Sequence, residues 1–276
     1  MKQQSSYALP KGYRNPLKVK LERGESIVGM VISVNSVEIA TQAAALGFDF
    51  IWFEMEHSPV SLETVRSTVL ATRGLPAVPI ARPPVNGLWT AKRLLDSGVL
   101  GVIFPFTSTA ELAKQAAAAC RYPPRGKRGS GADLAQFRWP VPGGYQGYCD
   151  FADKNVLVIT VVEDVSGLEQ IEEIAATPEV DVIFIGTSDL SFSLGLRGEQ
   201  NHPKLDAAVK KIVKTGLKHG KVMGRPGLTV EAIRKFEKQG FRFFMASTHT
   251  DFMAAGARRF LEPLGKQRAF VWGGTI

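Results

Sequence analysis

VLVITVVE, residues 156–163, is the stretch whose reading decides the fold. Six apolar residues and a single threonine in a row leave no polar face. A strand of that kind is buried on both sides, as in parallel sheets covered by helices. The run closes on an acid, Glu163. The pattern returns in VIFIGTSDL, where Val182–Ile185 is followed by Asp189. In such folds the loops at the carboxyl ends of strands carry the chemistry. Two carboxylates arriving there from neighbouring strands can hold one hard divalent cation through oxygen ligands. Taken singly, each also reads as a helix N-cap or first-turn acid, because SGLEQIEEI and LSFSLG follow.

Outward from these two runs, six more apolar segments appear: IVGMVIS (27–33), FDFIWFEM (48–55), AVPIA (77–81), GVIFP (101–105), KVMG (221–224) and FRFFMA (241–246). Helical patterns lie between them. SVEIATQAAAL, SLETVRSTVLAT and TAELAKQAAAAC open with Ser or Thr and an acid two or three residues later, an N-cap signature. Gly closes several helical patterns, as in ALG, DSG and KQG. Eight strand–helix units in 276 residues predict a single (β/α)8 TIM barrel over 1–276. A doubly wound sheet would bring a Gly-rich phosphate turn after its first strand, and ISVNSVE is not one. The stretch 121–155 breaks the rhythm. Rich in Gly, Pro and Arg, it is predicted as a long loop serving the active site or a subunit contact. The apolar tail FVWGGTI (270–276) is expected to dock on a neighbouring subunit.

Composition narrows the function. Hydrophobic content of 45% and charged content of 22% are ordinary for a soluble globular enzyme. No apolar run reaches the roughly 18 residues of a membrane span, and the start has no apolar signal core. Cys120 falls in a helical stretch and Cys149 in a loop. Neither implies a disulfide framework or a zinc cluster, so the expected compartment is the cytoplasm. The net charge of +8 is scattered along the chain. Lys210, Lys211, Lys214 and Lys218 recur at helical spacing, and no aromatic residues interleave the basic ones. That excludes nucleic acid as the main partner and favours a small anionic substrate.

The remaining strand ends supply more chemistry. FEMEHSP brings Glu54, Glu56 and His57, ARPP brings Arg82, and the helix ending LLDSG brings Asp96. His57 also reads as a turn residue and Arg82 as a surface charge. An acid at a helix carboxyl end opposes the helix dipole, so Asp96 calls for a His or Arg partner. Together these groups offer two acids for a metal, an arginine for an oxyanion, and a histidine with a carboxylate to orient it. No Lys falls in the apolar part of a strand, which argues against a Schiff-base route.

These motifs, with RYPPRGKRGSG, LLDSGVLGVIFP and the HP after DVIFIGTSDLSFSLG, resemble the class II pyruvate aldolases of the HpcH/HpaI group. That group includes 2-dehydro-3-deoxyglucarate aldolase and 4-hydroxy-2-oxoheptanedioate aldolase. The resemblance spans about residues 15–264. It implies a (β/α)8 TIM barrel of the phosphoenolpyruvate/pyruvate-binding type and a metal-dependent retro-aldol cleavage of a 4-hydroxy-2-oxo acid to pyruvate and an aldehyde. Glu163 and Asp189 would bind magnesium, manganese or cobalt. Arg82 would contact the keto oxygen, His57 would do acid–base work, and Asp96 would pair with His57. The backbone of Gly186, Thr187 and Ser188 would hold the substrate carboxylate. A trimer or hexamer with an exchanged last helix is implied too. Related alternatives are another metal–enolate lyase, an acyl-CoA ester lyase or decarboxylase, and a ligand-binding barrel without activity. Three departures stand out: Glu54 for the family's Asp, Val161 for its Gln, and Thr187 for the Pro of its Gly-Pro turn. Val161 is expected to turn an apolar side chain toward the metal shell.

Overall fold

Each of the eight apolar runs folds as a strand, to within two residues at either end. In the computed structural model, which describes Leu9 and residues 12–266, they are β1 Ile27–Ile32, β2 Phe50–Glu54, β3 Val78–Arg82, β4 Gly101–Phe104, β5 Leu157–Val162, β6 Val182–Ile185, β7 Val222–Pro226 and β8 Phe241–Thr248. All pair in parallel in sequence order, and β8 closes on β1. The chain is a (β/α)8 barrel with its helices outside the strands. The tail FVWGGTI and most of the first eleven residues lie outside the described residues.

Aromatic rings fill the interior. Phe50 stacks on Phe243 at 4.7 Å, Trp52 meets Phe184 edge-on at 5.4 Å, and Phe184 meets Phe243 at 6.1 Å. Burying each ring contributes about 1.5–3 kcal/mol. Two glycines make the room: a Cβ on Gly29 would strike Phe50, and one on Gly224 would strike Phe184. Val161 is the register partner of Phe184 and is fully buried. Its apolar side chain suits this interior layer.

The helix starts follow the sequence signals. Ser36, Ser61 and Thr109 each accept the backbone N–H three residues on. The segment 121–155 departs from expectation. It folds into two helices, Asp133–Arg138 and Gly144–Asn155, and Cys149 lies inside the second. Because it follows a helix and precedes β5, it lies at the amino-terminal end of the barrel. There Trp139 Nε1 donates to Gly98 O at 2.7 Å, and Arg138 Nε donates to Val69 O at 2.8 Å. The carbonyls left open at the ends of two barrel helices need donors, and this segment supplies them. It is a floor, not an active-site loop. Both cysteines are free. Among the described residues, no helix is long and apolar enough to cross a membrane.

Candidate active site

Glu54 and Arg82 end adjacent strands and are register partners, so the parallel sheet alone sets them side by side at the carboxyl end of the barrel. Glu54 Oε2 accepts from Arg82 Nε at 2.7 Å, lies 2.6 Å from Arg82 Nη2, and accepts from Trp52 Nε1 at 3.1 Å. Its Oε1 accepts the backbone N–H groups of Glu56 (2.8 Å) and His57 (3.1 Å), so the turn after β2 is folded around this carboxylate. The third guanidinium nitrogen, Nη1, lies 2.9 Å from Glu56 Oε2. Arg82 is thereby anchored by Glu54, with Glu56 alongside, and lies over the Trp52 ring at 5.4 Å. Glu carries one more methylene than Asp at position 54. That length lets one carboxylate reach Arg82 and still hold the turn.

Across the barrel mouth, Glu163 is buried at 2% exposure, and its Oε1 accepts the Phe106 N–H at 2.7 Å. Burial pushes its carboxyl up to about 7 against the pull of that hydrogen bond. The charges of Glu56 and Asp189 add to the rise, and Arg82 opposes it. Phe106 itself holds a left-handed backbone, φ 44°, which costs a non-glycine residue about 1–3 kcal/mol and is typical of functional loops. A Cβ at Gly186 would fall 2.5 Å from Glu163 Oε2, so only glycine lets β6 pass this acid. Asp189 stands in the first turn of the helix Thr187–Ser193. Its charge is felt at both Glu56 and Glu163. Burial also raises the Glu56 carboxyl, opposed by Arg82 and His57.

The residue set fits a divalent cation. Glu54, Glu56, Glu163 and Asp189 face one guanidinium, Arg82, so the mouth carries an excess of negative charge on hard oxygen donors. Among the described residues, no three His, Cys, Asp or Glu side chains close into a full cage. A two-carboxylate set with open positions suits an ion that shares its shell with substrate and water.

Other expected residues fall out differently. Gly186 N donates to Val162 O at 3.3 Å, so of the three expected backbone groups Thr187 and Ser188 keep first-turn N–H groups to offer a substrate carboxylate. Asp96 ends the helix Leu88–Asp96, at the opposite end of the barrel from His57. It lies 3.5 Å from Arg128 Nη2. Arg128 is buried against the rings of Tyr122 and Tyr148. The cationic partner that the helix dipole demands is therefore this arginine, and the expected pairing with His57 is not made within the chain. His57 is exposed, with Nε2 3.6 Å from Glu56 Oε2. Glu56 and Phe106 are the groups that sequence reasoning left without a role. Glu56 was visible in FEMEHSP, whereas a backbone donor such as Phe106 N leaves no mark on a sequence.

A family model for HpcH/HpaI aldolase/citrate lyase matches residues 28–252. A hydroxypyruvate/pyruvate aldolase of Paraburkholderia phytofirmans is 32% identical over 253 residues, covering 91% of this chain and 97% of the relative. A 5-keto-4-deoxy-D-glucarate aldolase of Klebsiella pneumoniae is 36% identical over 187 residues, 67% of this chain and 72% of the relative. A solved HpcH/HpaI aldolase/citrate lyase family protein from Burkholderia cenocepacia superposes with a TM-score of 0.84 at 31% identity, covering 91% of this chain and all of that one. Similarity of this extent, over a barrel whose acids and arginine meet at the strand ends, places the chain in the HpcH/HpaI aldolase/citrate lyase family as a carbon–carbon lyase.

Proposed function

We propose that this lyase is a class II aldolase that reversibly cleaves a 4-hydroxy-2-oxo acid to an aldehyde and pyruvate, or its hydroxy analogue. The observation that carries this reading is Arg82, held at two nitrogens by Glu54, with its third beside Glu56, and facing the Glu163–Asp189 pair across the barrel mouth. Cleavage leaves an enolate on the 2-oxo acid, and a fixed guanidinium aimed at the keto oxygen stabilises that charge as it develops. The Thr187 and Ser188 N–H groups orient the substrate carboxylate. His57, open to solvent on the rim, takes the proton of the hydroxyl on the aldehyde side. Glu163 and Asp189 would hold a divalent ion such as magnesium, manganese or cobalt. When bound, that ion supplies Lewis-acid stabilisation of the same developing charge. The aldehyde partner is set by the rim, where Phe106 and Phe192 are exposed.

Exchange of the pyruvate methyl protons in deuterated water reports enolate formation without any aldehyde. Exchange is expected to stop on chelation, to return with magnesium, manganese or cobalt, and to be absent in Glu163→Gln and Asp189→Asn proteins that keep their fold. Full exchange in excess chelator, with borohydride trapping of a lysine adduct, would replace this reading with a Schiff-base one.

A further inference from the structure

Three carboxylates could serve the His57 ring, and two of them are committed elsewhere. Glu54 accepts from Arg82, Trp52 and two backbone N–H groups. Asp96 belongs to Arg128 at the far end of the barrel. Glu56 remains. Its Oε2 lies 3.6 Å from His57 Nε2 and 2.9 Å from Arg82 Nη1, yet it receives no well-directed hydrogen bond from either. A separation of 3.6 Å is ion-pair range and not a hydrogen bond. A buried carboxylate oxygen without a directed donor is costly, so this oxygen stands between two neighbours and is tightly bound to neither.

We propose that Glu56 is the positioning residue for His57, a step that rests on the aldolase reading. Nη1 is the one Arg82 nitrogen not held by Glu54, so it is the one free to turn to the substrate oxygen. Glu56 Oε2, released from Nη1, then closes on the His57 Nε2–H. That contact fixes the ring with Nδ1 as the base. Nδ1 takes the hydroxyl proton, and the bond from that carbon to the adjacent methylene breaks. Its electron pair stays with the 2-oxo acid as the enolate, and the aldehyde departs. The imidazolium is held by Glu56 until it returns the proton to water, and the enolate methylene takes a proton from solvent to become the methyl group of pyruvate. One carboxylate thus couples substrate capture by Arg82 to readiness of the base.

The test compares two rates in each protein: cleavage of 4-hydroxy-2-oxopentanoate, and deuterium exchange into pyruvate. Cleavage needs the base, whereas exchange needs Arg82 and not His57. Glu56→Gln and His57→Ala are each expected to lower cleavage kcat at least about tenfold relative to exchange. The double variant is expected to be no slower than His57→Ala alone, because both changes remove one unit. Glu56→Asp keeps the charge but withdraws it from the ring, and the same selective loss is expected. Glu54→Gln, which loosens Arg82, is expected to lower both rates together. Equal loss of cleavage and exchange in Glu56→Gln would show a clamp on Arg82 only, and unchanged rates would show no role; either overturns the inference. A metal-loaded wild-type protein inert in both assays overturns the aldolase reading itself, and the inference with it.

Discussion

Glu163 is a carboxyl held in the barrel mouth with its pKa raised from the ordinary 4.5 to about 7, chiefly by burial. A raised carboxyl pKa means that the folded protein binds this proton more tightly than the unfolded chain does. The metal-free protein is therefore most stable at or below pH 4.5 as far as this group is concerned, and loses that contribution as pH rises toward 7. The loss amounts to roughly 3 kcal/mol. Denaturant titrations of metal-free protein between pH 5 and 8 are expected to show this fall. Glu163→Gln should flatten it and be the more stable protein at pH 8. Added divalent ion should restore wild-type stability at pH 8 and not that of the variant. A wild-type profile flat over this range would show that the buried acid has a counter-charge already.

At the scale of elements, the barrel separates its chemistry from its support. The strand ends of β2, β3, β5 and β6 bring the charged groups together, while the helices Asp133–Arg138 and Gly144–Asn155 close the other end. Trp139 is buried there, and its indole N–H satisfies Gly98 O, in a turn where Gly98 adopts φ 96° to end its helix. Trp139→Ala removes both the packing and the donor, and is expected to cost about 3–5 kcal/mol of stability. Because this floor lies a barrel length from the site, kcat measured well below the lowered melting temperature should stay within about twofold of wild type. A large fall in kcat without a fall in stability would mean that the floor acts on the site.

At the scale of the molecule, one barrel leaves apolar surface open. The last helix, His249–Leu261, buries none of its residues, and Phe252, Met253 and Phe260 stand exposed along it. Exposed apolar residues on a helix with no buried face mark an interaction surface. We propose that it is covered by a second copy of this chain, in a trimer or hexamer. Light scattering on the wild-type protein is expected to give a multiple of 30.0 kDa, and Phe260→Asp with Met253→Asp should reduce it. A monomeric wild type at micromolar concentration would remove this proposal while leaving the barrel and its site untouched.

The sequence by itself determined the architecture, because a parallel barrel strand must be apolar on both faces and so announces itself as a continuous run. It also determined which end carries chemistry: FEMEHSP, ARPP, VVE and GTSDL place their charged residues just past such runs. Helix starts were legible for a local reason, since Ser36, Ser61 and Thr109 act within three residues of themselves. What only the tertiary structure decided was pairing. Asp96 could have met a histidine or an arginine, and the barrel gave it Arg128 because the end of its helix lies on the floor. Glu54 was legible only as an acid at a strand end and became the anchor of Arg82, because register sets those two side by side. Val161 looked like a gap in a metal shell and is the register neighbour of Phe184. Periodicity fixes which face a residue occupies, but the partner across that face arrives from a strand dozens of residues away, and only closure of the sheet brings it there.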